Sequence, residues 1–346
     1  MSTEGGTRAI LAALVANIGI AATKFVAWLL TGSSSMLAES IHSVADSGNQ
    51  GLLLVGGRRA QRGATPQHPF GYGRERYIYA FIVSIVLFSV GGLFALYEGW
   101  HKVSDREPIT SWQWVPVTVL VVAIGLETYS FRTAVVESNR VRGTRSWKEF
   151  VRTAKAPELP VVLLEDLGAL VGLVLALLGV GLTLLTDDGL WDGVGTLAIG
   201  VLLVVIAVVL AIETKSLLLG ESATDADVGA IERALVGDGT DTAVERIIHM
   251  KTLHLGPEEL LVAAKIAVRH DETAGEVARA INQAESRIRA AVPIARVIYL
   301  EPDIEPAGTR ADGASSSDPA SAVPSAGAGT TPPSRPASPD GAHGGR

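Results

Sequence analysis

"MLAESIHSVADSGNQGLLLVGGRR", residues 36–59, has apolar flanks and ends in an apolar run, yet its middle holds Glu39, His42, Asp46, Asn49 and Gln50. On a helix, residues three, four and seven apart share a face. Glu39, His42 and Asp46 therefore form one stripe, which Gln50 continues. A charge at the centre of a bilayer costs at least ~2.5 kcal/mol, so three titratable groups on one stripe require a partner or a wet cavity. Two readings follow. The stripe is a polar network satisfied between packed helices, or it is half of a metal site. An imidazole and a carboxylate at i, i+4 can present a nitrogen and an oxygen to one divalent first-row ion.

The rest of the chain says whether this stripe lies in a membrane. Of 346 residues, 48% are hydrophobic and only 5% aromatic. The apolar residues cluster into segments at about 9–30, 35–57, 77–100, 112–136, 159–185 and 193–213. Each is long enough to span a bilayer, which takes ~20 residues. Six such runs separated by charged loops weigh against a soluble helical bundle. Glycines recur inside them (Gly91, Gly92, Gly168, Gly172, Gly179, Gly195, Gly200), as expected where helices approach closely in lipid. The N-terminal apolar stretch is too long for a signal peptide's core and lacks a clean cleavage site, so it reads as a retained first span.

Loop charge sets the orientation. Arg58, Arg59, Arg62, Arg74 and Arg76 follow the second segment, and Arg140, Arg142, Arg145, Lys148, Arg152 and Lys155 follow the fourth. The alternate loops are poor in basic residues. The positive-inside rule places both basic loops and both termini in the cytoplasm, giving a multi-pass cell-membrane protein. The net charge of −7 argues against nucleic acid as a partner, and the absence of cysteine excludes disulfides and thiolate metal sites.

Beyond Thr214 the pattern changes. Thr224 with Asp227, and Thr273 with Glu276, have the spacing of a capping box before a helical run. "VERIIHMKTLHLG" and "ELLVAAKIAV" read as paired strands joined at Gly256-Pro257, and "ARVIYLEPD" as a third. The order helix–strand–strand–helix–strand predicts a small α+β domain with its helices on one face. From about 305 the chain is rich in Pro, Ala, Ser and Gly and is expected to be disordered.

The fifth segment supplies a complement to the polar stripe. Glu165 and Asp166 lie inside "VVLLEDLGALVG" (161–172). Asp166 is some 7–8 residues into its helix, ~11–12 Å at 1.5 Å per residue, a depth close to that of Asp46 on a helix running the other way. Glu165 points about 100° away and is open to three roles: fourth ligand, proton carrier, or partner for Lys24. Asn17 and Lys24, seven apart in the first segment, can line the same cavity or bond neighbouring helices. Glu127 is placed to pair with Arg132, and Glu98 and His101 sit near a boundary where charge is cheap.

The run "MLAESIHSVADSGNQ", then "HPFGYGRERYIYAFI" (68–82), then "VVLLEDLGALVG", resembles the cation diffusion facilitator family, and more narrowly its zinc transporter 9-like branch. The resemblance covers about residues 8–304. It implies a polytopic α-helical membrane protein with six transmembrane helices (1–216), a C-terminal α+β ferredoxin-like cytoplasmic domain (217–304) and a tail (305–346), assembled as a homodimer. It implies a transporter rather than an enzyme, without a resident cofactor, exporting divalent metal in exchange for protons through a site shared by the second and fifth helices. His42 and Asp46 match the second-helix pair. In the fifth helix the family places His or Asp four residues before the aspartate, and this chain has Val162 before Asp166. Glu165 or Glu39 then becomes a candidate for the remaining ligand, water the alternative. Zinc leads as cargo, with manganese, cobalt and iron(II) open. The family's cytoplasmic metal positions leave His249, His254, His270, Glu301 and Asp303 to consider; Lys265 replaces an expected ligand, and surface histidines are the favoured reading. A membrane-anchored metal sensor, an intramembrane metalloenzyme and a proton-coupled carrier of an organic substrate are the rival readings; no HEXXH-type pairing supports the second.

Overall fold

A computed structural model describes residues 3–237 and 244–304, with side chains from Asn17 onward. The tail expected to be disordered lies outside the described residues. The helices are α1 (Thr3–Thr31), α2 (Ser34–Ala60), α3 (Glu75–Val86), α4 (Phe94–Ser104), α5 (Trp114–Arg142), α6 (Trp147–Thr153), α7 (Glu158–Thr186) and α8 (Leu190–Leu219). A π-helical turn, Leu87–Leu93, joins α3 to α4 without a break. The 30-residue helix so formed (Glu75–Ser104), α5, α7 and α8 are each long and apolar enough to cross a membrane. Their outer faces carry exposed Val and Leu, such as Val121 and Val122 on α5 and Leu178 and Leu182 on α7. α2 is of comparable length, but its polar stripe dilutes its apolarity. That stripe faces inward, burying Glu39, His42 and Asn49 against the other helices.

Close helix approach depends on glycine. A Cβ on Gly99 of α4 would stand 2.7 Å from the Leu197 nitrogen and 3.0 Å from the Gly193 carbonyl oxygen of α8. Both are backbone atoms that cannot step aside. The resulting bundle core includes Leu87, Leu120, Leu173, Ile199 and Leu203.

Three features differ from the sequence expectation. The fourth long helix runs on to Arg142, and the basic segment after it folds into α6, opened by a reciprocal capping box between Ser146 and Glu149. Basic residues assigned to loops partly belong to helix ends: Arg58 and Arg59 to α2, Arg140 and Arg142 to α5. The π-helical turn carries no period of its own that would separate it from an α-helix in sequence.

The second part follows its predicted order: α9 (Asp225–Val236), β1 (Val244–Gly256), β2 (Glu259–Val268), α10 (Ala274–Ala291) and β3 (Ala295–Asp303). The sheet order is β1-β2-β3, with β1 and β2 antiparallel (Leu253 opposite Leu261) and β2 and β3 parallel (Val262 beside Ile298). Alternate residues of β2, Leu260, Val262, Ala264 and Ile266, share a core with Ile231 and Leu235 of α9 and Ile288 of α10. Thr273 and Glu276 form the predicted capping box. Thr224 caps α9 by accepting from the Asp227 amide at 3.2 Å.

The "HPFGYGRER" segment docks on the β1–β2 turn. Gly73 is so close that a Cβ there would lie 2.9 Å from the Leu255 carbonyl oxygen. Arg76 pairs with Glu158 of α7 and, at 3.5 Å, with Glu258 of that turn. Lys155 meets Glu221 at 2.5 Å. Both basic segments therefore lie at the end of the bundle that carries the sheet.

Candidate metal centre

The α2 stripe meets α1, α5 and α7 around a cavity of about 80 Å³, lined among others by Lys24, Ser43, Asp46, Gln50, Glu127, Ser130 and Asp166. Asp46 and Asp166, from antiparallel helices, thus face one space. The volume suffices for water or a small ion. His42 is buried, with Nε2 3.5 Å from Oδ2 of Asp46, and neither ring nitrogen has a hydrogen-bond partner among the described residues. Oδ1 of Asp46 is likewise buried without one. Burying an unsatisfied polar group costs about 1–3 kcal/mol, so this arrangement is a poor structural network. It suits a donor set that a ligand completes. Gly91 of the π-helical turn packs beside the imidazole; a Cβ there would stand 3.8 Å from Nδ1.

The remaining sequence candidates are engaged elsewhere. Nζ of Lys24 donates to Glu39 Oε2 and to Ser43 Oγ, both at 2.9 Å. Lys24 thus pairs with Glu39 and not with Glu165. Glu165 instead accepts from Nδ2 of Asn49 at 2.7 Å. Asp166 accepts from Ser130 Oγ at 3.0 Å, and Asn17 donates to Gln50 at 3.4 Å. Val162, where a further ligand was sought, packs with an apolar cluster of Ala134, Phe150 and Leu163. Among the described residues, no three His, Asp or Glu side chains converge tightly enough to hold one ion in this conformation. His42 and Asp46 are already adjacent, and a shift between α2 and α7 would have to bring Asp166 to them.

Glu127 corrects the sequence expectation. It turns into the cavity, and no ion pair joins it to Arg132 among the described residues. Ser43, Asn49 and Ser130 carry bonds to the acidic side chains or to Lys24 that sequence reasoning left unassigned. Asn49 had a signal, its seven-residue spacing from His42. Ser130 had none, because the rotation of α5 decides which face it shows.

The candidates in the α+β part are not brought together. Lys265 holds Asp303 at 3.0 Å and Glu301 at 3.5 Å, and His249 is exposed opposite Lys265. His254 is buried, not at the surface, its Nδ1 3.3 Å from the Gly256 carbonyl oxygen. Burial lowers its pKa, opposed by that backbone bond.

Residues 10–219 match the family described as the cation efflux transmembrane domain. The mouse (Mus musculus) protein named proton-coupled zinc antiporter SLC30A9, mitochondrial, is 32% identical over 246 residues, 70% of this chain and 42% of that protein. Metal tolerance protein C4 of Arabidopsis thaliana is 26% identical over 268 residues, 77% and 58% of the two chains. Zinc transporter ZitB of Pectobacterium atrosepticum is 28% identical over 120 residues, 35% and 36%. The chain thus spans less than half the length of the first of these relatives. On the family match and the polar stripe it contains, the chain is a membrane protein of the cation diffusion facilitator family, in its zinc transporter 9-like branch.

Proposed function

We propose that this protein exports a divalent metal ion, zinc foremost, from the cytoplasm by proton antiport, through a mid-membrane site between α2 and α7. The carrying observation is the placement of Asp46 and Asp166 on one cavity, with the unpartnered His42 imidazole against Asp46. The names of the zinc antiporter and zinc transporter relatives support zinc; manganese, cobalt and iron(II) suit the same donors. In this reading six long helices span the cell membrane, both termini and the sheet are cytoplasmic, the sheet domain is ferredoxin-like, and two copies form the working dimer. Residues 1–216, 217–304 and 305–346 serve as transport domain, cytoplasmic domain and tail. Glu165 and Glu39 remain candidates for a further donor, each having to release its present partner first.

Metal ligands must be deprotonated, so metal and protons compete for the same groups. Open to the cytoplasm, His42, Asp46 and Asp166 take the ion and release protons. Open to a more acidic exterior, they take protons and release the ion. Alternation of which side the midplane site faces completes the cycle.

Proteoliposomes loaded with a zinc-sensitive dye test this. Asp46→Ala should abolish zinc flux coupled to a proton gradient, and His42→Asp should shift preference away from zinc toward harder ions such as manganese. Wild-type flux in Asp46→Ala vesicles would sink the proposal.

A further inference from the structure

Asp192, in the first turn of α8, is fully buried. Its carboxylate accepts from the Ser34 amide at 2.8 Å, Ser33 Oγ at 3.0 Å, Ser34 Oγ at 3.2 Å and the Ser35 amide at 3.3 Å. Its own amide donates to Thr183 Oγ1 of α7 at 2.9 Å. Thr196, one turn further along α8, lies 3.0 Å from Ser35 Oγ and 3.3 Å from Ser34 Oγ. One desolvated charge thus caps the N-terminus of α2 from another helix and ties in the last turn of α7. Charge-assisted hydrogen bonds are about twice as strong as neutral ones, and a helix N-terminus favours an anion. The cluster lies at the end of the bundle away from the sheet, since α8 starts at it and its other end leads toward the sheet.

The metal cavity lies nearer the sheet than this cluster: its lining runs from Ser43 to Gln50 along α2 and from Ala123 to Ser130 along α5. On α2 between the two, Met36 and Glu39 are buried, as is Ile199 on α8, while Leu173 belongs to the cavity wall. From Ser34 to His42 is two turns, ~12 Å along the same helix.

We propose that Asp192, with Ser33–Ser35 and Thr196, is a clamp that keeps the far end of the bundle shut while the site faces the sheet. Its release is the event that opens the site to the far side. Asp192 is a positioning residue: it touches no cargo and acts by pinning the helix that carries His42 and Asp46. The proposal rests on the transport reading above, and its test separates the two.

The chain has no cysteine, so single reporters can be introduced without background. Ile199→Cys lies inward of the clamp, and Gln50→Cys lies in the cavity lining furthest along α2 toward the sheet. Full-length protein in oriented proteoliposomes is labelled with a membrane-impermeant maleimide from each side. Asp192→Asn, which turns one oxygen and the two bonds it accepts into a donor NH2, should raise labelling at position 199 from the far side by roughly tenfold or more. Labelling at position 50 from the other side should fall in step. A merely structural loss would raise both, and that result, or no change in either, overturns the clamp. Should Asp192→Asn not fold, Ser34→Ala with Thr196→Val keeps the carboxylate and must shift both reporters the same way by less; no shift again overturns it. Wild-type vesicles that carry no metal would sink the transport reading and leave the reporters to decide the clamp.

Discussion

Lys24 and Glu39 show how a single buried charge constrains its neighbours. Both are almost wholly excluded from solvent, and they hold each other at 2.9 Å between α1 and α2. Removing one partner of such a pair leaves an uncompensated charge, a loss of about 3–5 kcal/mol, whereas replacing both by apolar side chains is often neutral. Lys24→Met should therefore strongly lower the thermal unfolding midpoint in detergent, and Lys24→Met with Glu39→Leu should recover most of it. Additive losses in the double variant would contradict the pairing. At this scale the sequence was informative but incomplete. Helical period alone puts Glu39, His42 and Asp46 on one stripe, whereas the partner of Lys24 depends on which helix packs against which, and period carries no such information.

At the scale of the element, the α4–α8 contact depends on what is missing from its side chains. Gly99 faces backbone atoms of Leu197 and Gly193, while nothing lies within 4 Å of a Cβ on Gly125 in α5. Overpacking a tight contact costs about 1–3 kcal/mol. Gly99→Val should accordingly lower the unfolding midpoint and reduce the proposed metal flux, with Gly125→Val close to wild type in both. Equal effects would mean that intrinsic helix propensity, not packing, dominates. Recurrent glycine was legible as a sign of close helices. The partners were not, nor was the π-helical turn beside His42, because an extra residue in a helix leaves the apolar composition unchanged.

For the whole molecule, the junction between bundle and sheet brings together residues far apart in sequence: Gly73 on the β1–β2 turn, Arg76 between Glu158 and Glu258, and Lys155 on Glu221. His254 sits in that junction, its amide donating to the Glu221 carbonyl at 2.9 Å. Burial lowers its pKa from 6.5, with the Lys155 charge adding to this and the Gly256 carbonyl, Asp227 and Glu221 opposing it. Between the folded and unfolded values the unfolded imidazole is protonated and the folded one neutral. Unfolding then takes up a proton, so stability falls as pH drops below about 6.5. His254→Gln should flatten that part of the stability curve when unfolding is followed from pH 7.5 to 5.5, a window of about one pH unit either side of the ordinary imidazole value; an unchanged slope would contradict it. The long apolar helices, the polar stripe of α2, the order of the α+β part and its caps were all legible in the chain alone, because each rests on period, length or local capping. Packing across the bundle was needed to bring Asp166 to the same cavity as Asp46, to give Glu39 and Glu165 their partners, to turn Glu127 inward and to set Asp192 at the start of α2. Those outcomes depend on how helices distant in sequence rotate and approach one another, which no local pattern encodes.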